Sequence, residues 1–104
     1  MLKLNDDNYK EVVSKTDKLV VVDFYADWCG PCKALSPVLE RVESKNPDVI
    51  FAKVNVDDAP ECSSINGIRS IPTVIFLKNG EVVSKFMGNH SEEYIQTAIN
   101  GLNK

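Results

Sequence analysis

The feature that most constrains the fold is an apolar run that ends just before two closely spaced cysteines. Leu19–Tyr25 is almost entirely apolar and β-branched, which is typical of a central strand covered on both faces. Cys29 and Cys32 follow it, and an apolar stripe with a 3.6-residue period then runs from Pro31 to about Lys45. The sequence therefore predicts a strand that passes through a two-cysteine turn into a helix.

The spacing of the cysteines favours reversible disulfide chemistry. In ideal helical geometry, residues three apart have Cα atoms about 5 Å from each other, a separation that a disulfide can span. The first turn of a helix also offers unpaired N–H groups and the positive end of the helix dipole, which both stabilise a thiolate. Thiol–disulfide exchange at Cys29 and Cys32 is the chemistry that this arrangement predicts.

Three other interpretations of the pair are weaker. A structural cross-link would close a loop of about four residues, which is worth only ~2 kcal/mol of unfolded-state entropy. A zinc site would need two further ligands, for which the chain offers only Cys62 and His90. A chance pair of inert cysteines is the third. We therefore expect no metal in this protein.

Composition limits the class of protein and its partners. A chain of 104 residues suits one domain, which we expect to span residues 1–104. A net charge of −3 with scattered Lys and Arg gives no argument for nucleic acid, and no apolar stretch approaches the ~20 residues of a membrane span. The first residues lack the apolar segment of a secretory signal, and three cysteines suit a reducing compartment. We expect a cytoplasmic monomer.

The remaining patterns alternate between helices and strands. They predict a helix from Asn5 to about Lys15, a strand over Val49–Val56 and a short helix over Asp58–Asn66. Two further strands, over Thr73–Leu77 and Glu81–Phe86, should flank an Asn79-Gly80 turn. The last helix should be capped by Ser91 and carry Tyr94, Ile95, Ala98, Ile99 and Leu102. This order predicts the α/β class: a central mixed sheet of about five strands, with about four helices on its two faces.

Two of these helices carry specific packing predictions. The helix after the cysteines should bury Ala34, Leu35, Val38, Leu39 and Val42. The short helix should bury Ala59, Cys62 and Ile65, which makes Cys62 a structural thiol rather than a redox sensor, since no basic residue lies near it to lower its pKa. A regulatory Cys62 is the alternative.

The cysteine motif and its setting resemble the thioredoxin family. Trp-Cys-Gly-Pro-Cys after such a strand is highly specific, and the likeness spans essentially the whole chain. It also includes Lys53, Ile71-Pro72-Thr73, Asn79-Gly80 and Gly88. Glutaredoxins usually carry Pro-Tyr between the cysteines and protein disulfide isomerase domains carry Gly-His, so Gly-Pro favours a thioredoxin-like reductant. Tyr25 departs from the family pattern, because bacterial members often have Trp there.

The resemblance implies a catalytic role for four residues. Cys29, at the exposed helix start, is the nucleophile, and Cys32 is the resolving cysteine. Asp23 would be a buried acid that relays a proton to or from Cys32, with Lys53 tuning its pKa. The alternative is an acid at the strand end that is solvated or paired with Lys53.

The resemblance also implies a substrate surface around the dithiol. Pro72 is expected to follow a cis peptide bond, and the Ile71 backbone to bind an extended substrate segment as an added strand. The surrounding apolar surface would consist of Trp28, Gly30, Pro31, Pro72 and Gly88. Trp28 as a core or hydrophobic-surface residue and Gly88 as a simple strand end are the alternatives.

The partners follow from the same resemblance. It implies that NADPH supplies electrons through thioredoxin reductase, that no cofactor is bound, and that the targets are disulfide-containing proteins such as peroxiredoxins or reductases. A glutathione-linked or isomerase-type oxidoreductase and a non-catalytic subunit of a larger enzyme are the competing functions.

Overall fold

The computed structural model describes residues 1–103, in which the chain forms five strands and four helices. In chain order they are β1 (Leu2–Leu4), α1 (Tyr9–Ser14), β2 (Val20–Tyr25), α2 (Gly30–Ser44), β3 (Ile50–Asn55), α3 (Pro60–Ile65), β4 (Thr73–Lys78), β5 (Glu81–Met87) and α4 (Glu92–Leu102). Within that range, no helix combines the length and the apolar composition that a membrane span requires.

The strands form one mixed sheet in the order β1-β3-β2-β4-β5. β3 is parallel to β1 and β2, whereas β4 is antiparallel to β2 and β5. Parallel pairing of β2 and β3 requires a crossover, which α2 supplies. The β4–β5 hairpin closes through Asn79 and Gly80, both at positive φ, as the tight turn demands. The predicted α/β class with a central mixed sheet is confirmed.

Two apolar cores lie on opposite faces of the sheet, since side chains alternate along each strand. On one face, Val21 and Phe76 pack with residues of α2 and α4. On the other, Val22 and Val54 pack with Val13 of α1 and with Cys62 of α3. β2 is therefore covered on both faces, and its carboxyl end holds the cysteine turn in a fixed place.

Helix α2 buries a narrower face than its periodicity predicts. Leu35, Leu39 and Val42 are buried and Val38 is half-buried, but Ala34 is exposed, so its assignment to the inward face is wrong. At about 100° per residue, Ala34 lies beyond Val38, outside the arc that faces the sheet. The helix continues through Pro37.

The first helix begins later than predicted, and a short strand precedes it. α1 starts at Tyr9, and the Asn5 side chain instead holds the preceding turn, its Oδ1 accepting N–H groups of Asp7 and Asn8 at 2.9 and 3.1 Å. The sequence did not predict β1, in which only Leu4 is buried. Its three residues become a strand because β3 offers them an edge to pair with.

Helix α3 also begins later, and one of its predicted inward residues is wrong. Ala59 and Cys62 are buried, but Ile65 is 83% exposed. A step of six residues turns about 120° away from Ala59, so Ile65 leaves the buried face. Ser63 occupies that face instead, and its Oγ donates to the Ala59 carbonyl at 2.8 Å.

Helix α4 confirms its predicted cap. Ser91 Oγ accepts the Tyr94 N–H at 3.0 Å, and Ile95 and Ile99 are buried against the sheet. Tyr94 itself stays about half exposed and stacks on the His90 ring, with the ring centroids 4.1 Å apart.

Candidate active site

Cys29 and Cys32 lie where β2 gives way to α2, and they are joined in a disulfide. Their Cα atoms are 5.3 Å apart. Cys29 is the N-cap residue of α2, and its Sγ accepts the Cys32 N–H at 3.2 Å. This amide belongs to the first helical turn, so its partial positive charge faces the Cys29 sulfur. The helix start therefore favours a thiolate at Cys29 once the disulfide opens.

Two exposed residues, Gly30 and Pro31, lie between the cysteines and border the disulfide. Gly30 has open space where a Cβ would lie, and Pro31 occupies the first helical turn, where a missing N–H breaks no intrahelical bond. Both cysteines are themselves buried, with 5% of Cys29 and 3% of Cys32 exposed. A partner must therefore approach the sulfurs past Gly30 and Pro31.

The segment before β4, which contains Ile71 and Pro72, lies next to the disulfide. The peptide bond between Ile71 and Pro72 is cis, the isomer that the family resemblance implies. The Ile71 carbonyl oxygen lies 3.9 Å from Cys29 Sγ, and the Ile71 N–H donates to no acceptor in residues 1–103. Gly88, at φ 78°, ends β5 and donates its N–H to the Pro72 carbonyl at 2.9 Å.

Trp28 lies on the surface beside the cysteines. Its side chain is 71% exposed, which excludes the alternative of a core residue. The indole Nε1 donates to Asp57 Oδ2 at 2.9 Å. Asp57 is not among the predicted site residues, although a signal exists: it follows β3, and the carboxyl ends of neighbouring parallel strands lie together at one edge of a sheet.

An apolar groove begins at Trp28. It has a volume of about 170 Å³, and Val56, Ile68 and Ile71 form most of its apolar wall. Arg69 also lines it. Because Ile71 both lines the groove and lies against Cys29, the groove is next to the disulfide.

Asp23 lies in the middle of β2 and is only 2% exposed. Its Oδ1 has no hydrogen-bond partner within residues 1–103. Lys53 is its register partner on β3, yet the described part of the chain contains no ion pair between them within 4.0 Å. Burial raises the pKa of Asp23 from 3.8 to about 7, and the positive charge of Lys53 opposes part of that rise.

A cavity of about 130 Å³ connects the acid to the dithiol. Asp23, Cys32 and Lys53 all line it, together with Tyr25 and Lys33. A water molecule needs only about 10–15 Å³ of such space and several polar partners, so the cavity can hold water between Asp23 and Cys32. Cys32 and the buried acid thus line one partly open cavity, although they are nine residues apart in the chain.

Cys62 belongs to a different part of the molecule. It is 3% exposed in the core that lies under α1 and α3. Burial first, and then the charge of Asp6, raise the pKa of its thiol to about 11. A thiol with such a pKa is a poor nucleophile at neutral pH. Residues 1–103 contain no group of three or more His, Cys, Asp or Glu placed to hold a metal ion.

Comparison with known families agrees with this geometry. The family model described as Thioredoxin matches residues 1–101. The chain belongs to the thioredoxin family. It is 56% identical over 73 residues to the thioredoxin of Mycoplasmoides gallisepticum, which covers 70% of this chain and 73% of the relative. It is 41% identical over 99 residues to that of Alicyclobacillus acidocaldarius, covering 94% and 93%, and 43% identical over 101 residues to that of Rickettsia bellii, covering 93% of each.

Family membership confirms the predicted fold and the predicted type of chemistry. The mixed sheet of five strands with its four helices is the thioredoxin fold. The protein is a thiol–disulfide oxidoreductase, and Cys29 and Cys32 are its redox-active pair.

Proposed function

We propose that this thioredoxin-family protein reduces disulfides in other proteins, with Cys29 as the nucleophile and Cys32 as the resolving thiol. The observation that carries the proposal is the asymmetry between the two sulfurs. Cys29 Sγ accepts the N–H of Cys32 from the helix start and lies 3.9 Å from the Ile71 carbonyl oxygen, whereas Cys32 lines the partly open cavity that Asp23 also lines. One sulfur is placed to meet a partner and the other to exchange a proton.

The first step is attack by the Cys29 thiolate on a substrate disulfide. A bond forms between Cys29 and one substrate sulfur, and the second substrate sulfur leaves with the electron pair as a thiolate. The Cys32 N–H stabilises the attacking thiolate before the step, which raises its population at neutral pH.

The second step releases the reduced substrate. Cys32 attacks Cys29, the mixed disulfide breaks, and the substrate sulfur leaves as a thiolate. Two electrons have then passed from the dithiol to the substrate. Cys32 must lose its proton to attack, and Asp23 accepts it through water in the shared cavity. An acid with a pKa of about 7 suits this role, because it can both take up and release protons near neutral pH.

Substrate binds, in this proposal, along the surface that surrounds Cys29. An extended segment pairs with the free N–H of Ile71, and neighbouring side chains enter the groove beside Trp28. Gly30 and Gly88 have open space where a Cβ would lie and Pro31 is exposed, so a second backbone has room to approach the sulfur, whereas Pro72 itself is buried.

Electrons return to the oxidised pair from NADPH through thioredoxin reductase. The targets are proteins with accessible disulfides, of the peroxiredoxin or reductase type, and the protein works in the cytoplasm as a monomer. The Gly-Pro pair between the cysteines and the identity to curated thioredoxins support this assignment over glutathione-linked exchange.

The test is reduction of insulin disulfides, followed by NADPH oxidation with thioredoxin reductase and, in parallel, with glutathione and glutathione reductase. We expect the first system to drive turnover and the second to give only background. Faster turnover with glutathione would contradict the proposed electron source.

Two variants assign the cysteine roles in the same assay. We expect Cys29→Ser to form no adduct with substrate, and Cys32→Ser to stall as a mixed disulfide visible on a non-reducing gel. Accumulation of the adduct with Cys29→Ser instead would reverse the two roles.

A further inference from the structure

Tyr25 has a place in the site that the proposed chemistry does not use. It lies two residues after Asp23 on β2, so both side chains leave the same face of the sheet. Lys53 is the register partner of Asp23 and lies diagonally opposite Tyr25, whose own partner is Asn55. Such diagonal neighbours are within reach of an aromatic ring and a long side chain.

The ring of Tyr25 contacts the Lys53 ammonium. Lys53 Nζ lies 5.7 Å from the ring centroid, which is the geometry of a cation–π interaction. Burial raises the pKa of the Tyr25 phenol, and the charges of Asp27, Asp23 and Asp58 raise it further, so the ring stays neutral at physiological pH.

Among the described residues, no ion pair or hydrogen bond holds the ammonium in place. Within residues 1–103, Lys53 Nζ takes part in no ion pair within 4.0 Å and in none of the side-chain hydrogen bonds. A lysine side chain on a flexible four-carbon stem otherwise samples many rotamers, several of which carry its charge into solvent. Its average influence on Asp23 depends on how long it stays at the cavity.

We propose that Tyr25 is a positioning residue, whose ring holds the Lys53 ammonium at the mouth of the cavity shared by Asp23 and Cys32. It acts on the proton relay only through Lys53. The role of this pair in catalysis rests on the proposed function, whereas the placement of the ammonium does not.

The other charged groups around Asp23 do not replace Lys53. Just after its strand, Asp27 lines the cavity and is negative, while Lys33 of α2 lines the cavity and is exposed. The register partner of Lys53 on β1 is Lys3, an exposed like charge, and β4 presents only apolar Val74 opposite Asp23. Cys32 contributes no charge while it is oxidised.

The experiment is an NMR titration of the Asp23 carboxyl carbon in the oxidised protein, comparing the wild type with Tyr25→Phe and Tyr25→Leu. We expect Tyr25→Leu to move the titration midpoint to higher pH, because a released ammonium lowers the Asp23 pKa less. Tyr25→Phe keeps a ring and should leave the midpoint in place. The Lys53 ε-protons should lose their upfield ring-current shift in Tyr25→Leu alone.

A Lys53→Met background separates positioning from solvent access. There, Tyr25→Leu should no longer raise the midpoint. A fall in the midpoint, or an equal rise in both backgrounds, would overturn the proposal, since the ring would then act by excluding water or by other means. Tyr25→Met serves as a second variant without a ring, and an unchanged midpoint in either folded variant also overturns it. Failure of the proposed function is distinct, because it appears in insulin reduction and not in this titration.

Discussion

At the scale of single residues, the burial of Asp23 lowers the stability of the fold. A carboxylate buried at 2% exposure without a partner on Oδ1 destabilises the native state whenever it is ionised. Its pKa is about 7 in the folded protein and 3.8 in its ordinary environment. Between about pH 4 and pH 7, Asp23 in the native state therefore keeps a proton that it has lost in the unfolded chain.

Asp23→Asn should stabilise the oxidised protein in a manner that depends on pH. Below about pH 4 the acid is protonated in both states, so the variant and the wild type should differ little from this effect. The gain should grow as pH rises from about 4 to 7 and then level off, at no more than about 4 kcal/mol. Urea unfolding at pH 4 and at pH 8 measures the change in free energy of unfolding.

The same variant should resolve mixed disulfides more slowly, because general base catalysis of this kind is typically worth about 10²–10⁴-fold. Asp27→Asn, which removes an exposed acid from the same cavity, is the matched control and should show neither effect. An Asp23→Asn protein that is less stable at pH 8 and fully active would contradict both halves of this prediction.

Cys62 provides a second residue-scale prediction. With 3% exposure and a thiol pKa of about 11, it should react with an alkylating reagent only when the protein opens, whereas Cys29 in the reduced protein should react rapidly. Cys62→Ala should keep full reductase activity and lose about 1 kcal/mol of stability from the smaller side chain. Mass spectrometry of the labelled native protein gives the rates. Rapid labelling of Cys62, or a covalent dimer that Cys62→Ala abolishes, would indicate a regulatory thiol instead.

The sequence predicted the site to the extent that its chemistry is local. The strand, the cysteine turn and the helix start are contiguous, so the spacing of Cys29 and Cys32 already indicated disulfide exchange. A charged residue inside an apolar strand likewise marked Asp23. The Tyr25–Lys53 contact could not be predicted, because it joins residues almost thirty positions apart that only strand register brings together. Asp57, by contrast, could have been found from its position just after β3.

At the scale of elements, α3 shows why short helices are hard to predict. Its N-cap residue, Ala59, has no side chain that can accept a hydrogen bond. The Asp6 carboxylate, from the turn after β1, accepts the N–H groups of Cys62 at 2.8 Å and Glu61 at 3.3 Å. A residue more than fifty positions away therefore supplies the cap, which no local pattern in α3 reveals.

Asp6→Ala should destabilise the protein by about 1 kcal/mol, the usual cost of losing a helix cap. Asp7→Ala is the matched control, because its exposed side chain makes neither bond and its loss changes net charge equally. Thermal or urea unfolding of both variants measures the difference. Equal stability of the two would mean that Asp6 does not cap α3.

The elements that the sequence located well have their signals within themselves. The Asn79-Gly80 turn and the Ser91 cap are local, and both are found as predicted. β1, by contrast, is a strand only through its pairing with β3, and Ile65 was assigned to a buried face by a periodicity that a six-residue helix is too short to sustain.

At the scale of the whole molecule, a redox protein must keep one fold in two covalent states. The disulfide lies beyond the carboxyl end of the central strand β2, in a small cluster with Ala26, while the two large cores occupy the sheet faces. Neither large core includes Cys29 or Cys32. Opening the disulfide therefore removes a constraint on a short loop and leaves the packing of the helices in place.

The reduced protein should accordingly remain folded and be less stable than the oxidised protein by about 2 kcal/mol, the entropy effect of closing a loop of about four residues. Urea unfolding at pH 7, with and without excess dithiothreitol, measures the difference in free energy. The Cys29→Ser/Cys32→Ser double variant is the control, because it cannot form the disulfide. Cys62 is a free thiol in every sample, so reductant should not change the stability of this variant. Reduced protein that unfolds without denaturant would show that the fold depends on the disulfide, and the separation of core from redox site would then be wrong.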